Sequence, residues 1–371
     1  MNKYFDICAT TPIDEDVLKF INNSNQSIFG NPSSIHEFGQ KSRTIVEKSR
    51  IKIANSINCL ASEVIFTCNG SVSNNMALMG CLKNGDHLIT SSYEHPAILK
   101  VCDFLKNNQI DVSLVKPDQN GKINVESVKS CIRDNTKMIS IMYVNNEIGT
   151  INPIEKISKL AKESSILMHT DAVQAMGKIQ VDVKNMGVDL LSLSGHKFYG
   201  PKGVGILFVK EGTLIKPILF GGGQELDLFP GTENIITIGA IGEAAKICME
   251  TINSYSAKIK KMEKYFINLI KDSQISYKIN GQDRVPGVIN ITLPNTNAQS
   301  FIINLDRSGY AISAGSACAS GSIKGSQTLH EIGLKNEAIT SSYRISFGKY
   351  HTKNDVESLF NEIIKHTDKI K

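Results

Sequence analysis

A lysine at the end of an apolar run is the residue best suited to covalent chemistry in this sequence. The run 188–193 predicts a buried strand, and Lys197 follows it in a stretch of small and polar residues that ends in a Gly- and Pro-rich turn. Desolvation at such a position favours the neutral amine, which is the nucleophile that forms a Schiff base with a carbonyl. A lone lysine is usually a solvated surface residue, so this interpretation depends on its companions elsewhere in the chain.

Polar residues also follow the other predicted strands of the same series. Because ligands of parallel sheets bind beyond the carboxyl ends of the strands, we expect these side chains to converge on one site. They are Ser71 after the strand 63–68, His95 after 87–91, Asn146 after 137–144, Asp171 after 166–170 and Lys197 after 188–193.

Asp171 and Lys197 together indicate pyridoxal phosphate as a cofactor. Proteins hold this cofactor through a lysine and keep its ring nitrogen protonated with an acidic partner. Taken alone, Asp171 is explained more simply as a helix cap. Gln174, in the segment that follows, could donate a hydrogen bond to the ring oxygen.

The segment 69–75 predicts an anion site for the phosphate group. Gly70 and Ser71 open a helix there, and the free N–H groups and the helix dipole attract negative charge. Ser194 and His196 could supply further donors. Ordinary N-capping by Ser or Asn is the alternative explanation.

Three further residues complete the candidate set. His95 could stack on the cofactor ring and shuttle protons. Cys318 lies in the Ser-, Gly- and Ala-rich stretch 313–322, which predicts a mobile loop with an exposed, reactive thiol. The other seven cysteines are interpreted as small buried hydrophobic residues. Arg344 lies in a strand-like run and suits a carboxylate ligand, with a structural ion pair as the alternative.

Short β-branched runs alternate with amphipathic helices through the first two thirds of the chain. This alternation predicts an α/β fold with a mainly parallel sheet covered by helices on both faces. After residue 235 the pattern changes to a long helix, about 236–270 with a break near Ser254, and then to a smaller α+β segment. We expect a large domain over 13–250 and a small domain formed by 1–12 and 251–371, which carries the Cys318 loop.

Composition argues against several classes of function. The net charge of the 371 residues is +5 and the basic residues are scattered, so direct binding to nucleic acid is not expected. No apolar run approaches the roughly 18 residues of a membrane helix, and the first residues carry no signal-peptide pattern. The eight cysteines form no CxxC pair and no cluster with histidine, so we expect no metal site, no disulfide framework and a cytoplasmic location. No G-x-G-x-x-G motif follows the first strand, which argues against dinucleotide binding.

These residues and their flanking motifs resemble the cysteine desulfurases of the NifS/IscS type, within the class-V aminotransferase branch of the fold-type I pyridoxal-phosphate enzymes. The resemblance runs nearly from end to end. It covers the segments 9–12, 29–34 with His36, 94–95, 145–150, 169–174, 194–203, 221–225, 231–234, 315–318 and 341–344.

The resemblance implies a role for each candidate residue in a homodimer with a shared active site. Cys318 is implied to accept the sulfur, and Arg344 to position the substrate. The implied cofactor ligands are Lys197, Asp171 and Gln174 at the ring, His95 stacked on it, Asn146 beside both cofactor and substrate, Gly70, Ser71, Ser194 and His196 at the phosphate, and Thr232 from the other subunit.

The implied reaction takes sulfur from L-cysteine, releases L-alanine and leaves a persulfide on Cys318. An iron–sulfur scaffold or a tRNA-thiolation protein would then receive the sulfur. The alternatives are a selenocysteine lyase, another class-V pyridoxal-phosphate enzyme, or a degenerate homologue with a regulatory role. An aminotransferase needs no thiol on a loop, so Cys318 argues against that activity.

Three residues depart from the pattern of this family. Val72 stands where its members usually have Glu, Phe229 where they usually have Arg, and Ile7 where Tyr or Asn is frequent. The candidate catalytic residues are all present. The two lost charges raise the question of whether a loop anchor or a partner surface has changed.

Overall fold

Seven strands form the larger of two sheets in the computed structural model, which describes residues 3–315 and 325–367 of the chain. The larger sheet contains β1 (Val64–Thr67), β2 (His87–Ser91), β3 (Asp111–Val115), β4 (Thr136–Ser140), β5 (Leu167–Asp171), β6 (Leu190–Ser194) and β7 (Gly205–Val209). The smaller sheet contains β8 (Lys278–Asn280), β9 (Val288–Thr292) and β10 (Ser342–Ser346). Within the described ranges the helices are α1 (Glu15–Asn25), α2 (Glu37–Ile57), α3 (Gly70–Cys81), α4 (Pro96–Asn107), α5 (Val125–Lys129), α6 (Ile154–Glu163), α7 (Val183–Met186), α8 (Ile235–Asp272), α9 (Ala298–Arg307), α10 (Gln327–Glu331), α11 (Asn336–Ile339) and α12 (Lys353–Thr367).

One strand of the larger sheet, β7, runs against the others. The strand order is β1-β7-β6-β5-β4-β2-β3, and β7 is antiparallel to both β1 and β6 while the remaining neighbours pair in parallel. Six strands therefore share one direction, and their carboxyl ends lie along one edge of the sheet. The predicted α/β fold with a mainly parallel sheet is confirmed.

Alternate residues of each strand contribute to cores on opposite faces of this sheet. Leu191 and Ile206 pack in a core shared with α2 and α8, whereas Leu190 and Leu207 pack in a core shared with α3 and α4. Both faces are thus covered, which explains why β6 and β7 are buried along their whole length.

The smaller sheet has a core of its own, to which the start of the chain contributes. Phe5 packs with residues of α9, α12 and the second half of α8. Its N–H donates to the Ala311 carbonyl at 2.8 Å, and its carbonyl accepts from the Ser346 N–H at 2.8 Å. The first residues of the chain are therefore held by its last quarter.

Helix α8 joins the two cores without interruption. It runs over 38 residues, so the break expected near Ser254 is wrong. Its first half, with Ile238 and Ala245, packs in the core of the larger sheet, and its second half, with Ile259 and Phe266, in that of the smaller one. The division into domains near residue 250 stays a prediction, and it falls inside this single helix. No helix in the described ranges is both long enough and apolar enough to cross a bilayer.

Strand β4 is shorter than the apolar run that predicted it. The run extends to Val144, but the strand ends at Ser140. The next residues still bond to the neighbouring strand, since the Ile141 N–H donates to the His169 carbonyl at 3.2 Å. The chain then turns back on itself, with a bridge between Val144 and Ile151. Hydrophobicity alone could not distinguish this buried turn from a strand.

A tight helix crossing predicts the effect of one glycine substitution. An added Cβ at Gly242 of α8 would lie 2.7 Å from Ser49 Cβ and 2.8 Å from Ser49 Cα in α2. Alanine normally stabilises an exposed helix by about 1 kcal/mol relative to glycine, but overpacking here should cost about 1–3 kcal/mol. Chemical denaturation should therefore show Gly242→Ala to be less stable than wild type, and the exposed Asn253→Ala on the same helix to be as stable or slightly more so.

Candidate active site

A cavity of about 230 Å³ lies where β5 and β6 end. The predicted site residues that line it are Gly70, Ser71, His95, Asn146, Asp171, Gln174, Ser194, His196, Lys197 and Arg344. Thr232 is exposed and is not part of this lining. Cys318 lies outside the described residues. The fold therefore brings together most of the residues that the sequence analysis selected from distant segments.

Asp171 presents an oriented carboxylate to the cavity. It is the last residue of β5 and only 6% exposed. Its Oδ1 accepts from the Val173 N–H at 3.0 Å, and its Oδ2 accepts from Asn74 Nδ2 at 2.7 Å. A carboxylate has capacity for further bonds, so Asp171 can still accept one from a ligand. Sequence reasoning missed Asn74, although its spacing from Ser71 on α3 places both on one helix face.

The start of α3 forms an anion cradle. Asn69 caps the helix by accepting from the Val72 N–H at 2.9 Å. The N–H groups of Gly70 and Ser71 lie in the first turn, where no carbonyl of the helix can accept them, and they remain available to a ligand. A Cβ at Gly70 would lie 2.8 Å from Val173 Cγ2 and 3.2 Å from Ser194 Cβ, so a larger residue could not bring the helix start this close to β6.

The imidazole of His95 is neutral, and a backbone hydrogen bond fixes its tautomer. It caps α4, and its Nδ1 accepts from the Ala97 N–H at 3.1 Å. Burial lowers its pKa; Asp171 opposes this shift and Lys197 adds to it. Because Nδ1 is the acceptor, the ring proton lies on Nε2.

The N-terminal arm supplies acceptors for the lysine. Lys197 Nζ donates to the carbonyls of Cys8 and Ala9, both at 2.8 Å. These two arm residues line the cavity, and the sequence analysis gave them no role. Two converging carbonyls hold the amine at the cavity wall.

His196 is also tied to the arm. Its Nδ1 lies 3.0 Å from Thr10 Oγ1, and its carbonyl accepts from the Thr11 N–H at 2.9 Å. Burial, with added repulsion from Lys197 and Lys202, lowers the pKa of His196 to about 4. The ring is therefore neutral at pH 7 and can serve a ligand as a hydrogen-bond partner, not as a charge.

Arg344 is engaged in an ion pair inside the protein. It is 1% exposed, its Nη2 donates to Asp6 Oδ1 at 2.7 Å, and its Nη1 donates to the Asn146 carbonyl at 2.8 Å. Its Nε has no hydrogen-bond partner among the described residues. Arg344 thus forms the structural ion pair that was the alternative explanation for this residue. Its role toward a substrate carboxylate stays a prediction. Sequence reasoning could not see Asp6 as its partner across 338 positions.

Val72 and Phe229, at the two positions where the family pattern has charged residues, lie in apolar surroundings. Val72 and Phe229 are both partly buried and pack against the same hydrophobic cluster beside α3 and α4. Neither residue lines the cavity, so the two departures do not alter its lining.

Glu94, next to His95, is a buried acid outside the predicted set. Its Oε1 accepts from Ser91 Oγ at 2.5 Å and from the Met142 N–H at 2.9 Å. Its Oε2 is buried and has no partner in the described ranges. Burial raises the pKa of Glu94 to about 8, against the opposing effect of both hydrogen bonds.

The sequence matches the aminotransferase class-V family over residues 3–359. The chain belongs to this family. It is 40% identical to a putative cysteine desulfurase of Bacillus subtilis, covering 96% of both chains. It is 39% identical to a cysteine desulfurase of the IscS type from Dictyoglomus turgidum, over 99% of this chain and 95% of that one. The resemblance to the NifS/IscS type is confirmed.

Solved structures of this family share the fold. A NifS-like protein superposes with a TM-score of 0.93 and 30% identity, covering 99% of this chain and 100% of that one. A structure described as SspA in complex with cysteine has a TM-score of 0.83 and 36% identity, over 94% of this chain and 100% of that one.

The buried carboxyl group of Glu94 should make the stability of the protein depend on pH. Its pKa is about 8 in the fold and 4.5 in the reference state, so unfolding between these pH values releases a proton and stability falls as pH rises. Glu94→Gln keeps the acceptor oxygen and removes the titration. Relative to wild type, it should gain about 1.4 kcal/mol for each pH unit between pH 5 and pH 8.

Denaturant midpoints at pH 5 and pH 8 measure this gain. The exposed Glu126→Gln serves as the matched control and should follow the wild type. Parallel pH profiles for wild type and Glu94→Gln would show that Glu94 is ionised in the folded protein.

Proposed function

We propose that this chain is a pyridoxal-phosphate-dependent cysteine desulfurase, which takes sulfur from L-cysteine and releases L-alanine. The observation that carries the proposal is the meeting of Lys197, Asp171 and the start of α3 in one cavity. The relatives described above are named for the same activity.

The donors of the cavity fit pyridoxal phosphate. Lys197 would hold the cofactor covalently, and the oriented Asp171 carboxylate would bind its ring N–H. The N–H groups of Gly70 and Ser71, with Ser194, would bind its phosphate. When bound, this cofactor supplies an electron sink for negative charge at the substrate Cα.

Side chains around the cofactor would transfer the Cα proton and bind the substrate. Lys197, as a neutral amine, removes the Cα proton. His95 adds an N–H at Nε2 and carries no positive charge that would repel the ammonium group of the substrate. Arg344 has five N–H donors, of which Asp6 and the Asn146 carbonyl use two. The remaining donors are available to the substrate carboxylate.

Cys318 would accept the sulfur. An S–S bond would form between its thiolate and the substrate sulfur, and the substrate C–S bond would break with its electron pair left on Cβ. The proton that the Cys318 thiol gave up would complete the methyl group at Cβ, and Lys197 would return the proton to Cα, which gives L-alanine. Contacts on both sides of the segment 316–324 support this role. Ser313 exchanges two backbone hydrogen bonds with Arg344 at 3.2 and 2.7 Å, and Ser326 Oγ donates to Glu147 Oε2 at 2.5 Å.

A homodimer with a shared active site is part of the proposal. Two adjoining segments, 28–38 and 220–233, border one groove and carry exposed apolar side chains, among them Ile35 at 94% and Phe220 at 86% exposure. Exposed apolar surface of this kind is typical of an interface. Thr232 lies in the second segment and would reach the phosphate of the other subunit.

The sulfur of the persulfide would leave the enzyme on an acceptor protein. An iron–sulfur scaffold or a tRNA-thiolation protein would receive the persulfide. The cytoplasm is the proposed location, since the seven cysteines in the described ranges are free thiols.

The thiol assignment is tested by comparing two cysteine variants. Cys318→Ala should keep the yellow colour of the bound cofactor while sulfide production from L-cysteine falls to background, because the sulfur has no acceptor. Cys68 is exposed, so the expectation that the seven other cysteines are buried is wrong for this residue. Cys68→Ala removes this thiol outside the cavity lining and should produce L-alanine and sulfide in equal amounts, as wild type does. Normal sulfide production by Cys318→Ala would remove the persulfide step from the proposal.

Mixed dimers test the shared site. Lys197→Ala and Thr232→Asp should each be inactive as homodimers, the second because its carboxylate repels the phosphate. A heterodimer purified through two different tags combines Lys197 of one chain with Thr232 of the other, and should regain about half of the wild-type activity. If Thr232 served its own subunit, both sites of the heterodimer would stay inactive.

A further inference from the structure

A lysine is buried directly behind the cavity wall. Lys178 is 4% exposed and lies in the turns that follow β5. Its Nζ donates to Gln174 Oε1 at 3.1 Å. Burial lowers the pKa of Lys178, and the positive charge of Arg344 contributes to the shift. Burying a lysine is costly, so this position calls for a physical explanation.

The contact with Lys178 decides which end of the Gln174 amide faces the cavity. A lysine ammonium has donors and no acceptor, so it can bond only the oxygen of the amide. The amide nitrogen, Nε2, must then point away from Lys178, and it donates to the Cys8 carbonyl at 2.9 Å. Nε2 carries a second hydrogen, and Gln174 lines the cavity.

The same Cys8 carbonyl also accepts from Lys197 Nζ at 2.8 Å. Lys178, Gln174, the Cys8 carbonyl and Lys197 therefore form one continuous hydrogen-bonded chain. A reversed Gln174 amide would set its oxygen against the Cys8 carbonyl, and two acceptors in contact repel each other. In this series of hydrogen bonds, a donor faces an acceptor at every contact only when Lys178 bonds to the amide oxygen of Gln174.

We propose that Lys178 is a positioning residue that fixes the Gln174 amide so that a donor, not an acceptor, faces the bound cofactor. The inference rests on the proposed function, because the group that receives the donor is the ring oxygen of pyridoxal phosphate. Lys178 touches neither cofactor nor substrate and acts only through Gln174.

The test compares Lys178→Met with Gln174→Ala and the double variant. Methionine keeps most of the side-chain volume and removes the donor. Reconstituted Lys178→Met should bind pyridoxal phosphate roughly three- to tenfold more weakly, the effect of about one lost hydrogen bond, and its visible absorption maximum should shift. In the Gln174→Ala background the same substitution should change neither quantity, because its only route to the cofactor has been removed.

Controls separate positioning from a general loss of stability. The exposed Lys156→Met should leave cofactor affinity and absorption as in wild type. Lys178→Gln, which is neutral and too short to reach Gln174, should repeat the spectral shift and provides a second variant if Lys178→Met does not fold.

Two results would overturn the inference. One is an unchanged absorption maximum and affinity in the Lys178 variants; the other is that the effects of Lys178→Met and Gln174→Ala simply add. Failure of the wild-type protein to take up pyridoxal phosphate is a separate outcome, which would contradict the proposed function itself.

Discussion

The docking of the N-terminal arm, residues 3–11, is the contact on which the cavity depends. Phe5 is part of the core of the smaller sheet, while Cys8 is part of the core of the larger one. Between them Asp6 binds Arg344 at 2.7 Å, and the carbonyls of Cys8 and Ala9 hold Lys197. One short segment thus supplies a wall of the cavity and joins the two sheets. Without it, the buried Arg344 would lose the carboxylate that it bonds directly, and breaking a buried ion pair is strongly destabilising.

Burial keeps several titratable groups around the cavity neutral. It lowers the pKa of His95 and His196 and raises that of Glu94. The neutral groups serve as directed hydrogen-bond donors and acceptors, because each has a fixed partner. Charge is concentrated instead at Arg344 with Asp6 and at the oriented carboxylate of Asp171. Such an arrangement of fixed dipoles costs little reorganisation when charge develops on a substrate.

Local sequence patterns predicted the strands, the helices and the convergence of the strand-end residues. They worked where one face or both faces of an element are buried, as in β6, because periodicity then reflects burial. They failed where tertiary contacts decide the outcome. The continuity of α8 through Ser254 depends on packing in two cores, and the end of β4 depends on a buried turn. The roles of Asn74, Asp6 and Lys178 depend on partners that only the folded chain brings into contact.

The arm also has a consequence for the order in which the molecule is completed. Its residues are synthesised well before their partners, which include Ala311, Arg344 and Ser346; 338 positions separate Asp6 from Arg344. The wall around Lys197 therefore cannot close until these later segments have been made.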